Sequence, residues 1–132
     1  MTKELNDADL ELLREPNYAQ LVTLNADGSP QVSIGWIDAE DGHVLVNTAE
    51  GRRKDRNMRR DPRVAVLVAR TGDAYRWIAV EGRVVERVSG PRADSHIDAL
   101  SRKYDGRPWT PVEGQVRVLY RIRPTRVVRY RG

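Results

Sequence analysis

Apolar side chains recur at every second position through most of this chain, in short runs set off by Gly, Pro, Asp and Asn. That period belongs to half-buried strands. Residues 18–25 read as a first strand, and Ala26-Asp27-Gly28-Ser29 reads as a hairpin turn because Asp-Gly tolerates positive φ. Residues 30–38 form the return strand, with Gly35 marking a bulge or a close backbone approach. Asp41-Gly42 turns the chain into a strand over 43–47, so three strands in series make a meander. Residues 63–70 are a strongly apolar strand, Thr71-Gly72-Asp73 a turn, and 75–88 a long strand that Gly82 can kink. Residues 115–122 and 125–130 are the last two strands, broken by Pro124.

Three segments depart from this period. Asn6 or Asp7 caps a helix to about residue 15, with Leu10 and Leu13 on its buried side. A short basic helix spans 52–61 and is closed by Pro62, and Pro91 opens another that runs to about residue 104. Residues 105–111 are irregular. The sum is a mostly β (α+β) chain of six or seven strands with short helices. Most connections are too short for parallel crossovers, so the expected architecture is a largely antiparallel barrel.

The 132 residues suffice for one domain, 1–132, and not for two. At 39% hydrophobic content, a small β domain of this kind often completes its core by dimerising. No cysteine excludes a disulfide framework, a thiolate nucleophile and a zinc–sulfur site. His43 and His96 lack partners at i,i+4, so no metal site is expected. The N-terminal residues have no signal-like apolar core and no run of 18 apolar residues exists, which reads as a soluble, cytoplasmic protein with no membrane partner.

Charge changes the picture at one place. Between Arg52 and Arg63 stand seven Arg or Lys against two Asp, although the whole chain nets only +4. This excess sits at a strand-to-helix junction, where unpaired N–H groups and the helix dipole suit a phosphate. Lys54 reads as a point charge, Arg52 as a two-pronged clamp, and Asn57 as a neutral donor one turn on. The bland reading is a solvated charged face. Arg56 and Arg59 fit it, and Asn47-Thr48 fits turn and capping chemistry as well as a ligand. The arginines at 117, 121, 123, 126, 129 and 131 recur mostly at odd positions and read as an exposed face.

In order, Asp27-Gly28-Ser29-Pro30-Gln31-Val32-Ser33, Asn47-Thr48-Ala49, Gly51-Arg52-Arg53-Lys54-Asp55-Arg56-Asn57, then Asp61-Pro62-Arg63-Val64 and Ala79-Val80-Glu81-Gly82 resemble the pyridoxamine 5′-phosphate oxidase-like split-barrel superfamily. Within it the likeness is to the F420 (deazaflavin)-dependent reductases of actinobacteria. The resemblance implies an FMN-binding-like split β-barrel that is homodimeric, with cofactor sites at the interface. It implies that Arg52, Arg53, Lys54 and Asn57 meet the cofactor phosphate and anionic tail. Asn47 and Thr48 would lie beside the polar edge of the ring, and Pro30, Gln31, Val32 and Ser33 along it. Trp36, Trp77 and Trp109 read as core or interface aromatics, or as walls of a substrate pocket.

No nucleophile, metal set or carboxylate pair stands out, which suits an oxidoreductase whose cofactor carries the hydride to a small organic acceptor. FMN is the alternative to F420. A non-catalytic flavin, F420 or haem carrier, and a nucleic-acid module using the basic helix, are the other classes. The last lacks aromatic platforms and a reader motif.

Overall fold

A computed structural model describes residues 2–130; the arginine at 131, placed above in the arginine face, lies outside them. The strands are β1 (Ala19–Leu24), β2 (Pro30–Gly35), β3 (Asp38–Glu40), β4 (His43–Ala49), β5 (Arg63–Arg70), β6 (Asp73–Ser89) and β7 (Arg117–Arg129). The helices are α1 (Asp7–Arg14), α2 (Arg53–Arg60) and α3 (Pro91–Asp105). All seven strands join one sheet in the order β2-β1-β5-β6-β7-β4-β3, and every neighbouring pair is antiparallel.

The connectivity forces this sheet to roll. β2 and β3 stand at opposite edges, yet only Trp36 and Ile37 separate them in the chain. A step from Gly35 to Asp38 spans at most about 11 Å, whereas a flat sheet of this many strands would be roughly 29 Å wide. The edges therefore meet across Trp36 and Ile37, and the barrel closes there. Val46, Val66, Val68, Ile78, Val80, Val118, Tyr120, Ile122 and Val127 fill the interior, each no more than 5% exposed. Each fully buried aliphatic side chain of this kind contributes about 1.5–3 kcal/mol.

The sheet corrects the expected meander. Residues 30–38 are not one return strand: β2 pairs only with β1, and after the Trp36-Ile37 step β3 pairs only with β4. Strand periodicity ran on through the step, because Ile37 and Ala39 are both buried. Pro124 also fails to end a strand. It lies inside β7 opposite Gly82, past Ile122, where β4 stops pairing. With no strand beyond it on that side, its missing N–H leaves no ladder bond unmade. Gly82 is required at this crossing. A Cβ there would stand 2.6 Å from Ile122 Cγ2 and 2.8 Å from the Arg123 carbonyl oxygen.

α1 covers one end of the barrel. Asn6 caps it, its Oδ1 accepting from Asp9 N at 2.9 Å while Asp9 Oδ2 accepts from Asn6 N at 2.9 Å. Asp9, Leu12 and Leu13 face inward, so the buried register includes Leu12, whereas Leu10 is only partly covered. Buried Asp9 also takes Arg129 Nε at 2.8 Å. The arginine face is thus only partly a face: Arg123 and Arg126 are exposed, but Arg129 is ion-paired and Arg117 is buried. The odd-position rule fails because these residues face α1 and α3, not solvent.

Candidate functional site

β4 ends at Ala49, and the chain reaches α2 through Glu50, Gly51 and Arg52. Gly51 takes φ +89°, a left-handed value that a side chain would strain. Its N–H donates to Asp55 Oδ2 at 2.9 Å. Asp55 is fully buried and also accepts from the Tyr120 hydroxyl and from Arg87 Nε at 3.2 Å. Burial works to raise its pKa, but the Tyr120, Gly51 and Arg87 donors outweigh it and hold the carboxyl below its ordinary value. Asp55 therefore pins the start of the basic helix to the barrel interior.

That start is left open. Arg52 is the N-cap and its side chain makes no capping bond. Arg52, Lys54 and Arg117 are close enough to perturb one another. Lys54 is depressed first by burial and then by Arg52 and Arg117; Arg117 is brought down to about 10 by burial and then by Arg52, with Asp94 opposing. Among the described residues, none of these three cations has a carboxylate within 4.0 Å. Cations brought together without partners at an uncapped helix start are suited to an oxyanion.

Lys54 opens onto a narrow cleft, about 30 Å³, whose lining includes Ser33, Trp36, Asn47 and Thr48. The Ser33 and Thr48 hydroxyls are buried there without a hydrogen-bond partner. Leaving such a group unmet costs about 1–3 kcal/mol, so both hydroxyls are available to a polar atom entering the cleft. Aromatic rings stand beside the cleft. Trp36 stacks on Tyr104 at 5.4 Å and 7°, meets Trp109 edge-on at 6.3 Å, and Arg117 lies over the Trp109 ring at 5.1 Å.

The other expected residues fall elsewhere. Asn57 is buried behind α2, with Nδ2 donating to Thr23 Oγ1 at 3.0 Å and Asn25 Oδ1 at 3.1 Å and Oδ1 accepting from Arg60. Gln31 Oε1 accepts from Thr23 Oγ1 at 2.9 Å. Arg53 lines a shallow depression with Arg56, Arg60 and the β1–β2 turn, separate from the cleft. Pro30 and Val32 are exposed on β2, an edge strand whose outward backbone groups are unpaired. Trp77 packs against Tyr130 at 5.9 Å rather than with the other tryptophans. Asn47 lines the cleft, but its amide is already used: Nδ2 donates to Ala93 O and His96 Nδ1, both at 3.1 Å, and Oδ1 accepts from Arg117 Nε at 2.9 Å.

Arg117, His96 and Asp55 stand beside the candidate site without any strong sequence signal that singles them out. Arg117 hid in the periodic arginines of β7. Asp55 looked like simple charge relief on the helix, although its place one turn after Gly51 was a usable sign. His96 faces Asn47 from α3 across 49 residues, and burial, opposed by Asp38, brings its pKa down to about 4. It is neutral at ordinary pH, accepts at Nδ1 and so carries its proton on Nε2, which has no partner. Among the described residues no group of His and acidic side chains could hold a metal, and no helix is long and apolar enough to cross a membrane.

A sequence profile described as pyridoxamine 5′-phosphate oxidase matches residues 5–130. The chain belongs to the pyridoxamine 5′-phosphate oxidase family. It is 32% identical over 132 residues to the F420H2-dependent biliverdin reductase of Mycobacterium tuberculosis, covering 96% of this chain and 89% of that protein. It is 35% identical over 107 residues to a pyridoxine/pyridoxamine 5′-phosphate oxidase of Methylibium petroleiphilum, covering 79% of this chain and about half (48%) of that longer protein. Among solved structures, an F420 reductase superposes with a TM-score of 0.79 at 32% identity, covering 89% of this chain and 94% of that one. A conserved hypothetical protein of Mycobacterium tuberculosis superposes at 0.76 with 26% identity, covering 98% and 88%. The family's relatives thus include named reductases and oxidases, and the seven-stranded antiparallel barrel is the family's fold.

Proposed function

We propose that this chain is an F420-dependent oxidoreductase that holds the reduced deazaflavin against a small organic acceptor. The observation that carries this reading is the pairing of Arg52 and Lys54, both without carboxylate partners, with the uncapped start of α2 beside the orphaned Thr48 hydroxyl. Full-length likeness to an F420H2-dependent biliverdin reductase supports F420 over other phosphorylated redox molecules. The cofactor would supply the hydride. The chain's part is to bind, orient and exclude water.

In that role Arg52, Lys54 and the first N–H groups of α2 hold the phosphate, and Ser33 and Thr48 offer hydroxyls to polar ring atoms. β2 reaches the same cleft through Ser33 and Gly35. Tyr104, whose ring stacks beside the cleft on Trp36, is not a ready proton donor. The Tyr104 hydroxyl gives its proton to Asn17 O at 2.6 Å, and burial pushes its pKa up to about 12. That leaves solvent or the Lys54 ammonium at the cleft to supply the proton that completes reduction.

A homodimer belongs to this proposal. The outer face of β2, β1 and β5 carries Val32 at 61%, Ile34 at 63% and Leu67 at 42% exposure, with Val22 alongside Val32 in register. This apolar face, broken only by Gln20 between Ile34 and Leu67, favours a second protein surface. Covering it would place the partner's residues beside β2 and widen the binding site across the seam. FMN on the same phosphate cradle is the second reading, kept in view by the likeness to an oxidase.

Titration of the purified protein with F420 and with FMN, followed by fluorescence, tests the assignment. F420 is expected to bind more tightly than FMN, and the Arg52→Ala/Lys54→Ala double variant to weaken it by about a hundredfold or more. Unchanged affinity in the folded double variant overturns the reading. Turnover across unsaturated acceptors separates an enzyme from a carrier.

A further inference from the structure

We infer that Arg117 is a third arm of this anion pocket, held in place by Asn47 and His96 from the opposite wall. The inference rests on the phosphate reading above and extends it to residues on β7, β4 and α3. Arg117 is 8% exposed, which is unusual for an arginine without an ion pair. Its guanidinium is fixed on three sides. Nε donates to Asn47 Oδ1 at 2.9 Å, Nη1 donates to Gln115 Oε1 at 3.0 Å, and the plane lies over Trp109 at 5.1 Å. These partners are neutral, so they orient the charge without cancelling it. Nη2 is the prong left for a ligand.

The register shows why it points at the same anion. Ala49 pairs with Arg117 across β4 and β7, and Ala49 is the residue from which the chain turns into Gly51, Arg52 and α2. Arg117 thus flanks the helix start from the α3 side, while Arg52 and Lys54 flank it from the α2 side. Lys54 and Asn47, which reach Arg52 and Arg117 on one side, also line the cleft that holds the unpartnered hydroxyl of buried Thr48. An oxyanion between these groups relieves the mutual repulsion of all the cations at once. A phosphate ester fits better than a carboxylate, because its larger charge and additional oxygens can meet more of these donors.

Asn47 can orient Arg117 only one way round. Its Oδ1 must face Arg117 Nε, which forces Nδ2 toward Ala93 O and His96 Nδ1. Neutral His96, accepting at Nδ1, reads out that orientation and locks it. His96 is therefore a positioning residue, two hydrogen bonds removed from the Arg117 guanidinium.

The test compares FMN with riboflavin, and F420 with its phosphate-free chromophore, by equilibrium fluorescence titration. Arg117→Gln is expected to weaken the phosphorylated member of each pair by about tenfold to a hundredfold while leaving the phosphate-free member unchanged. His96→Leu should give a smaller loss of the same phosphate-dependent kind, and His96→Asn, which returns an acceptor near the Nδ1 position, should restore it. Thermal unfolding confirms that each variant is folded. If Lys54→Ala loses phosphate discrimination and folded Arg117→Gln keeps it, the third arm is overturned and the phosphate site stands. If Arg117→Gln weakens both members of a pair equally, its role is packing on Trp109 and the inference fails. If neither variant loses discrimination, both this inference and the phosphate reading fall.

Discussion

Asn57 donates a hydrogen bond to Thr23 Oγ1 at 3.0 Å, and this bond turns the most ligand-like asparagine of the basic helix into a structural tie. Thr23 in turn donates to Gln31, so α2, β1 and β2 are stitched by one chain of buried polar groups. Asn57→Ala leaves Thr23 and Asn25 short of a donor. The expected loss is about 1–3 kcal/mol of stability in urea unfolding. Cofactor affinity in the folded variant should change by less than the Lys54→Ala effect; a larger loss would return Asn57 to the ligand site.

Asp55 makes a second, pH-dependent tie. Its folded pKa lies below the ordinary value of 3.8, so its contribution is complete above that value and declines as pH falls through the folded pKa. Asp55→Ala removes the acceptor for Tyr120, Gly51 and Arg87 together. A destabilisation of about 3–5 kcal/mol is expected, since Arg87 is left without its buried partner. The variant should also lose part of the wild-type acid transition, read by circular dichroism below pH 4.

Lys54 gives the binding a pH signature. Burial, then Arg52 and Arg117, depress its pKa in the free protein, and a bound phosphate must raise it. Binding is therefore accompanied by proton uptake as pH approaches the free-state pKa. Affinity should fall at alkaline pH, and Lys54→Arg should flatten that fall because arginine stays charged. A profile identical in wild type and Lys54→Arg would place the titrating group elsewhere.

Gly82→Ala is predicted to destabilise without touching the cleft. The new Cβ meets a backbone carbonyl at 2.8 Å and Ile122 at 2.6 Å, and only one of these can move by a rotamer change. A loss of about 1–3 kcal/mol is expected, with β6 and β7 forced apart where the bulge already shifts their register.

The strands could be read from sequence where alternation met a strong turn. Asp27-Gly28 and Asp41-Gly42 both turn as expected, and residues 63–70 were bounded correctly by Pro62 and Gly72. Local signals failed where the answer lay in a distant partner. Nothing near residue 36 announces that the chain there leaves one sheet edge for the other. Nothing near Pro124 shows that β4 has already ended. At the candidate site, charge density singles out Arg52 and Lys54, since clustering along the chain is visible in sequence. Arg117, 63 residues beyond Lys54, is brought opposite Ala49 only by pairing between β4 and β7. The contacts of Asn57 and Trp77 are illegible for the same reason, as their partners Thr23 and Tyr130 are not neighbours in the chain.

The two-residue step at Trp36-Ile37 also ties barrel closure to the last helix. Ile37 N–H is met by the Tyr104 hydroxyl at 3.1 Å, its carbonyl by Lys103 Nζ at 2.6 Å, and the same ammonium holds Leu13 O at 2.7 Å. α3 thus works as a clasp over the join between the two sheet edges. Any event that lifts this helix, from a loosened Lys103 to a ligand wedged under Trp36, would unzip the wall at its thinnest line, so amide exchange at Ile37 should report the opening of the barrel before any strand residue does.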